Sequence, residues 1–368
     1  MAAAKTNPVE FLAQREKLPP RRLLLVKPSS LGDVVNTLPA LAALHRSWPT
    51  TLVDWLVKSE WAELLRDHPM LHEVVLLPKS WQQWPRFIGE LSCRPYDMVI
   101  DFQGLLRSGL LSLMTRAAVR VGFADGREGS SWCYTHRVAA CEGGVHAVER
   151  YLHLIEASGV ATDGPRAFLL PRWRSAEAWV ENLWRSEKIA PHETICVIHP
   201  AARWKNKRWP AERYAQLADW MLDRQACRVV LIGGATQVKQ IDEVKRQMRR
   251  APIDLSGGTN LQQLTALLRR ATLLVTNDSG PMHLSAAVNT PVVAVFGPTN
   301  PRETGPYGSG HIVVEAEIDC SGCTRRSCRK GLACLKAVSV EEVFDAVESQ
   351  LRRKESRPPF DQAQGERE

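Results

Sequence analysis

The feature that most constrains this chain is a rhythm: short, wholly apolar runs alternate with longer amphipathic stretches, and the series occurs twice. Arg22 to Lys27 (RLLLVK) has no polar face, as a strand buried on both sides of a parallel sheet requires. A helix is expected from Gly32 to Ser47, then strands at 51–57, 73–77, 97–101 and 119–123, with helices over 60–67, 81–91, 105–116 and 146–157 between and after them. The second series starts at Thr194. It predicts strands at 194–199, 228–233, 272–277 and 292–296, and helices over 211–224, 236–249, 261–270 and 282–288. Such alternation means βαβ units with right-handed crossovers.

The expected fold is α/β, with two Rossmann-like, doubly wound parallel-sheet domains facing a central cleft, the GT-B arrangement. The first domain is expected over 1–168 and the second over 169–339, with the Gly-, Pro- and Trp-containing stretch 159–192 joining them. A last helix, 340–353, is expected to cross back onto the first domain, and 354–368 reads as a disordered tail. In doubly wound sheets ligands collect at the carboxyl ends of the strands. Neither half opens with GxGxxG, which argues against a dinucleotide dehydrogenase.

Composition narrows the partners. Of 368 residues, 48 are Lys or Arg and 40 Asp or Glu, a net charge of +8 that suits an anionic ligand or simply keeps the chain soluble. Basic residues are not interleaved with aromatics in a periodic way, so no nucleic-acid partner is expected. No apolar run is long enough to span a bilayer, and Met1 to Pro20 lacks a secretory h-region, so a cytoplasmic location is expected. Trp81 and Trp84, near basic residues, are candidates to touch a lipid surface.

Three strand-to-helix junctions carry the chemistry. Lys27-Pro28-Ser29-Ser30-Leu31-Gly32-Asp33 offers backbone N–H groups to an anion, and Asp33 reads either as a general base or as a helix cap. Thr276-Asn277-Asp278-Ser279-Gly280-Pro281-Met282-His283 suits a diphosphate at its helix start, with Asp278 free to accept from sugar hydroxyls; the alternative is an ordinary strand–turn–helix. Phe296-Gly297-Pro298-Thr299-Asn300-Pro301 follows the next strand on the same rim. His199 to Pro210 holds Arg203, Lys205, Lys207 and Arg208, cations able to neutralise a phosphate leaving group without a metal; His199 itself reads as structural.

Nine cysteines without a secretory signal point to reduced thiols. Cys320, Cys323, Cys328 and Cys334 have the spacing C-x2-C-x4-C-x5-C, which could form a structural zinc site; an unligated reduced loop and an iron–sulfur or redox role are the alternatives.

NDSGPMHLSAAVNTPVVAVFGPTNP resembles the signature of glycosyltransferase family 9, the bacterial lipopolysaccharide heptosyltransferases, and KPSSLGDVVNTLPAL resembles that family's N-terminal motif. DFQGLLRSG, VGFADGREG and HAVERYLHL are most similar to its heptosyltransferase I branch. The resemblance runs from Arg22 to Val347. It implies an inverting enzyme that moves L-glycero-D-manno-heptose from an ADP-sugar to a Kdo residue of the lipid A inner core, at the cytoplasmic face of the inner membrane, with no cofactor required for catalysis.

Carried over by motif, Asp33 matches the catalytic base, Lys207 the phosphate-binding lysine and Asp278 the heptose-contacting acid. Ser279, Gly280, Pro281, Met282 and His283, with Arg203, fall on the donor side; Ser29, Ser30, Gly32, Asp101, Gln103 and His146 fall on the acceptor side. Ala201-Ala202 depart from the hydroxyl residues the family often has after His-Pro. The near alternative is a heptosyltransferase II-like relative using another activated sugar or acceptor. The remote one is a zinc-stabilised nucleic-acid-binding protein.

Overall fold

The computed structural model describes residues 19–224, 227–325 and 327–355, the last two without their side chains. The chain forms two compact units, Met1–Trp173 and Arg174–Glu368.

The first unit is a six-stranded parallel sheet in the order β3-β2-β1-β4-β5-β6. Its strands are β1 (Arg22–Val26), β2 (Leu52–Val57), β3 (Glu73–Leu76), β4 (Met98–Asp101), β5 (Val119–Phe123) and β6 (His136–Val138). The helices are α1 (Leu31–Ser47), α2 (Trp84–Cys93), α3 (Leu106–Met114) and α4 (Ala147–Glu156). Leu23 to Val26 are all fully buried, which explains why β1 reads as an unbroken apolar run. Leu24 and Val26 pack with Leu91 of α2 and Leu111 of α3, while Leu23 and Leu25 point to the opposite face.

The second unit repeats the plan, with strand order β12-β11-β10-β7-β8-β9. Here the strands are β7 (Ile195–His199), β8 (Arg228–Leu231), β9 (Ile253–Asp254), β10 (Leu273–Asn277), β11 (Val292–Phe296) and β12 (Ile312–Glu315). The helices are α5 (Arg174–Ser186), α6 (Ala211–Arg224), α7 (Val238–Lys245), α8 (Leu261–Arg270), α9 (Gly280–Ala287), α10 (Pro301–Thr304), α11 (Ala333–Ala337) and α12 (Val340–Glu355).

Several boundaries differ from the sequence expectation. The first unit runs to Trp173, not 168. Trp173 is buried and its indole N–H donates to the Arg66 carbonyl at 3.3 Å, while His68 bonds the Leu169 carbonyl at 3.0 Å. The last helix belongs to the second unit: Val340, Val343, Phe344 and Val347 of α12 lie in that unit's core with Met221 of α6 and Val293 of β11. That core is where an amphipathic helix of this register buries its apolar stripe. The helix backbone runs on to Glu355; the rest of the expected tail lies outside the described residues. The helix expected over 60–67 is only a 3-10 turn, Ala62–Leu64, because just Leu64 and Leu65 there have a core to enter.

Candidate active site

At the carboxyl end of β1 the chain turns through Pro28 and Ser29 into α1, and this geometry builds the first site. Ser30 is the N-cap of α1, and Asp33 is its N3 residue. The Ser30 backbone N–H and hydroxyl both donate to Asp33 Oδ2 at 2.9 Å. The capping partnership read as an alternative to catalysis is therefore present, with Asp33 answering the cap rather than being it. Only one carboxylate oxygen is used that way. Asp33 Oδ1 accepts from the Tyr151 hydroxyl at 2.9 Å and lies 3.5 Å from Lys27 Nζ, and the side chain keeps 38% of its surface exposed.

Burial would raise the Asp33 carboxyl, but Lys27, the two Ser30 bonds and Tyr151 outweigh it and hold its pKa at about 2. Lys27 is itself buried, which pushes its pKa down; its Nζ donates to the Phe102 carbonyl at 3.1 Å and sits 4.7 Å from the Tyr151 ring centre. The same burial pushes the Tyr151 phenol well above its ordinary value. The result is an ionised, partly accessible carboxylate wired to a buried ammonium and a phenol.

The other acceptor-side candidates divide. Asp101 is fully buried. Its Oδ1 accepts from the Gln103 N–H at 2.8 Å and its Oδ2 from the Tyr134 hydroxyl at 2.7 Å, and burial raises its pKa. Its expected contact with a ligand is therefore corrected: Asp101 shapes the loop after β4 and exposes nothing. Gln103, presented by that loop, is half-buried, and its Oε1 is a buried acceptor with no hydrogen-bond partner. A donor group arriving at this rim would satisfy it. His146 caps α4, its Nδ1 accepting from the Val148 N–H at 3.2 Å. Ser29 is half-buried, Ser30 exposed and Gly32 buried in the first turn of α1.

In the second unit the rim is formed by the ends of β7, β10 and β11. Asn277 is fully buried and stitches the basic loop to β10: its Oδ1 accepts from the Trp209 N–H and its Nδ2 donates to the Pro200 carbonyl, both at 2.9 Å. That clasp sets Lys207 beside Asp278, where ammonium and carboxylate form an ion pair. Thr299, from the loop after β11, donates to the same Asp278 Oδ2 at 2.6 Å. Lys207 also lies 4.9 Å from the Trp204 ring centre. Arg203 and Lys205 are exposed, whereas Arg208 turns inward to the Ala202 carbonyl at 2.8 Å.

Ser279 is the N-cap of α9, yet its hydroxyl is not folded over its own helix. It is engaged instead by His199 Nδ1 at 3.1 Å and Thr276 at 3.0 Å. The amide end of α9 is thus not closed by its capping side chain, which leaves it suited to an anion. Gly280 opens the helix, with Pro281 in its first turn, where a missing N–H costs nothing.

Met282 does not reach a ligand: it is fully buried against Val292, Ala294 and Phe296, because its place on α9 faces the sheet. His283 is nearly as deep, at 9% exposure. Burial lowers His199 to a pKa of about 4, so the ring is neutral at pH 7 and acts as a structural strut, with Nε2 on Gln237 at 3.2 Å.

The four-cysteine loop does not gather into a tetrahedral set. Cys334 is buried, Cys320 half-buried, and Cys323 and Cys328 exposed. Among the described residues the only three potential ligands converging within 4.8 Å are Asp54, His72 and Glu73. Cys334 lies at the start of α11, where a Cβ on Gly297 would meet its sulfur at 3.0 Å, and burial, with the neighbouring Cys320, Cys328 and Cys323, pushes its thiol pKa up. The Asp54 group does not suit a cation either. Arg22 already contacts Asp54 at 2.7 Å and Arg94 contacts Glu73 at 2.6 Å.

Lys27, Tyr151, Asn277 and Thr299 are the participants that sequence reasoning left out as site residues. Tyr151 is 118 positions from Asp33, so no local spacing could have joined them.

Two Rossmann-like units, one presenting a carboxylate and the other a cationic rim, define an α/β protein of the GT-B class. The profile of glycosyltransferase family 9 (heptosyltransferase) matches residues 84–333. The chain is 30% identical over 320 residues to lipopolysaccharide heptosyltransferase 1 of Pseudomonas aeruginosa, covering 83% of this chain and 87% of that one. The structure of a family 9 glycosyl transferase from Veillonella parvula superposes with a TM-score of 0.79 at 24% identity, over 90% of this chain and 97% of that one. The E. coli heptosyltransferase WaaC with ADP does so with a TM-score of 0.66 at 25% identity, over 90% and 98%. The chain belongs to glycosyltransferase family 9. It is an enzyme of the heptosyltransferase family of lipopolysaccharide core biosynthesis.

Proposed function

We propose that the enzyme transfers L-glycero-D-manno-heptose from ADP-heptose to a Kdo residue of the lipid A inner core, with inversion. In this reading the acceptor hydroxyl attacks the anomeric carbon as the bond to the ADP phosphate breaks. The hydroxyl proton passes to Asp33, and ADP leaves with both bonding electrons. Lys207 and the start of α9 offset the charge on the departing diphosphate, and Asp278, held by Lys207 and Thr299, accepts from a heptose hydroxyl. These side chains supply the neutralisation that the leaving group needs.

The observation that carries the proposal is the Asp33 carboxylate, ionised and part-exposed beside the orphaned Gln103 acceptor at neighbouring strand ends. A carboxylate with a pKa of about 2 is a weak base. It suits a reaction whose proton is lost only as the new glycosidic bond forms. Lys27 and Tyr151 also remain to bond the carboxyl after it is protonated.

The test is turnover of ADP-heptose with Kdo-bearing lipid A by the wild type and by Asp33→Asn. The expected loss is about 10²- to 10⁴-fold in rate, with ADP affinity by calorimetry unchanged. Undiminished turnover would remove Asp33 from the base role. Offering an acceptor that already carries one heptose in parallel separates this reading from the heptosyltransferase II-like one. A preference for that acceptor would reassign the substrate.

A further inference from the structure

The structure carries an apolar face that its own fold does not cover. Helix α3 buries Ser108, Gly109, Leu111 and Ser112, and turns Leu106, Leu110 and Leu113 outward with 40%, 39% and 46% exposure. Their i, i+4, i+7 spacing puts all three on one stripe. The 3-10 segment Arg127–Cys133 packs directly beside it: a Cβ on Gly109 would sit 3.0 Å from the Ser130 carbonyl and 3.2 Å from Cys133. From that segment Trp132 projects with 84% exposure. A leucine stripe flanked by a nearly bare tryptophan leaves apolar area in water that a lone surface leucine would not.

The surround is cationic. Between residues 102 and 138 the chain has Arg107, Arg116, Arg120, Arg127 and Arg137 against only two acids, Asp125 and Glu128. Asp125 is already taken by Arg150 at 2.8 and 2.9 Å. Arg120 turns inward to the Cys133 carbonyl, whereas Arg107, Arg116, Arg127 and Arg137 are exposed. A second copy of the chain would meet this face with its own arginines opposed to their equivalents. An anionic bilayer fits all three features: leucines at the acyl boundary, tryptophan at the headgroup level and arginines on the phosphates.

Position adds a functional reason. Helix α3 begins directly after the loop that presents Gln103, and the Arg127 N–H donates to the Gly104 carbonyl at 2.8 Å, tying the segment to that loop. The same loop receives Lys27 at Phe102. Trp81 is exposed as well, at 79%, but Trp84 beside it packs into the core with Phe87, so no continuous face forms there.

We propose that Leu106, Leu110, Leu113 and Trp132, with the surrounding arginines, are the surface by which the first unit docks onto an anionic membrane, holding the Asp33 rim beside a lipid-borne acceptor. The functional importance of this docking rests on the lipid acceptor proposed above, but its test does not. Full-length protein is sedimented with sucrose-loaded phosphatidylcholine vesicles, with and without phosphatidylglycerol, in the absence of any substrate. The wild type is expected to bind only the phosphatidylglycerol vesicles and to be released by salt.

The double variant Leu110→Asp/Trp132→Ser is expected to bind about ten-fold more weakly or less, through the lost apolar insertion. Arg107→Glu/Arg127→Glu is expected to weaken binding through charge, while both variants keep the wild-type melting temperature. Turnover with a deacylated, water-soluble acceptor is expected to stay at the wild-type value in Leu110→Asp/Trp132→Ser. Equal binding of wild type and both variants, binding indifferent to phosphatidylglycerol, or a wild-type dimer that the variants dissociate would overturn the proposal.

Discussion

At the residue scale, what decides each role is whether a side chain's partners use up its polar atoms. Asp101 ends one apolar strand and Asp33 opens the helix after another, yet one is consumed by Tyr134 and the loop amides while the other keeps a part-exposed face. His199 is consumed too, and that makes a prediction about pH. Its folded pKa of about 4 lies below the free value of 6.5, because burial penalises the charged ring. Between those values the unfolded chain binds the extra proton. Stability is therefore complete above about pH 6.5 and is lost as pH falls toward 4, by about 3 kcal/mol in all. Melting wild type and His199→Gln at pH 7.5 and 5 checks this. The variant is expected to lose less stability on acidification, and parallel losses would show that His199 is not the titrating group.

The placement of Asp33, Lys207, Asp278 and Ser279 at strand-to-helix junctions was legible in the sequence, and doubly wound sheets bind ligands at such junctions. Met282 and Asp101 were misjudged for the converse reason: being at a junction does not say which way a side chain faces. Thr299 and Tyr151 were invisible as partners because they meet Asp278 and Asp33 only through the fold.

At the element scale, the strands that formed apolar runs were all readable, whereas β6, β9 and β12 were not. Those three lie at or next to a sheet edge, are two to four residues long, and are only partly buried, so no run of apolar residues marks them. The loop after β11 makes a sharper prediction. A Cβ on Gly297 would fall 2.9 Å from Leu335 Cγ and 3.0 Å from Cys334 Sγ, so α11 would have to shift. That helix follows a segment bound to the rim, with the Gly322 N–H on the Gly297 carbonyl at 3.1 Å and Asn206 bonded to the Arg325 carbonyl. Gly297→Val is expected to cost about 1–3 kcal/mol by overpacking and to weaken ADP binding, since Thr299 is displaced from Asp278. Calorimetric titration with ADP at wild-type affinity would separate the loop from the rim.

At the scale of the whole molecule, each unit has its own sheet and its own core. A fragment starting at Arg174 and running through α12 is therefore expected to fold alone and to bind ADP within about ten-fold of the full chain, as titration calorimetry would reveal. The same fragment stopped at Ser339 loses Val343, Phe344 and Val347 from its core and is expected not to fold. Circular dichroism would expose a native-like spectrum if that is wrong.

The return of α12 to the second unit also orders events on the ribosome. The first unit has all its strands by the time synthesis passes Trp173, and it can set while the remainder is still emerging. The second unit must wait until α12 has cleared the exit tunnel. Until then a broad greasy flank stands open to chaperones and to neighbouring nascent chains, so slow decoding or early termination before α12 is made would damage one lobe and spare its sibling.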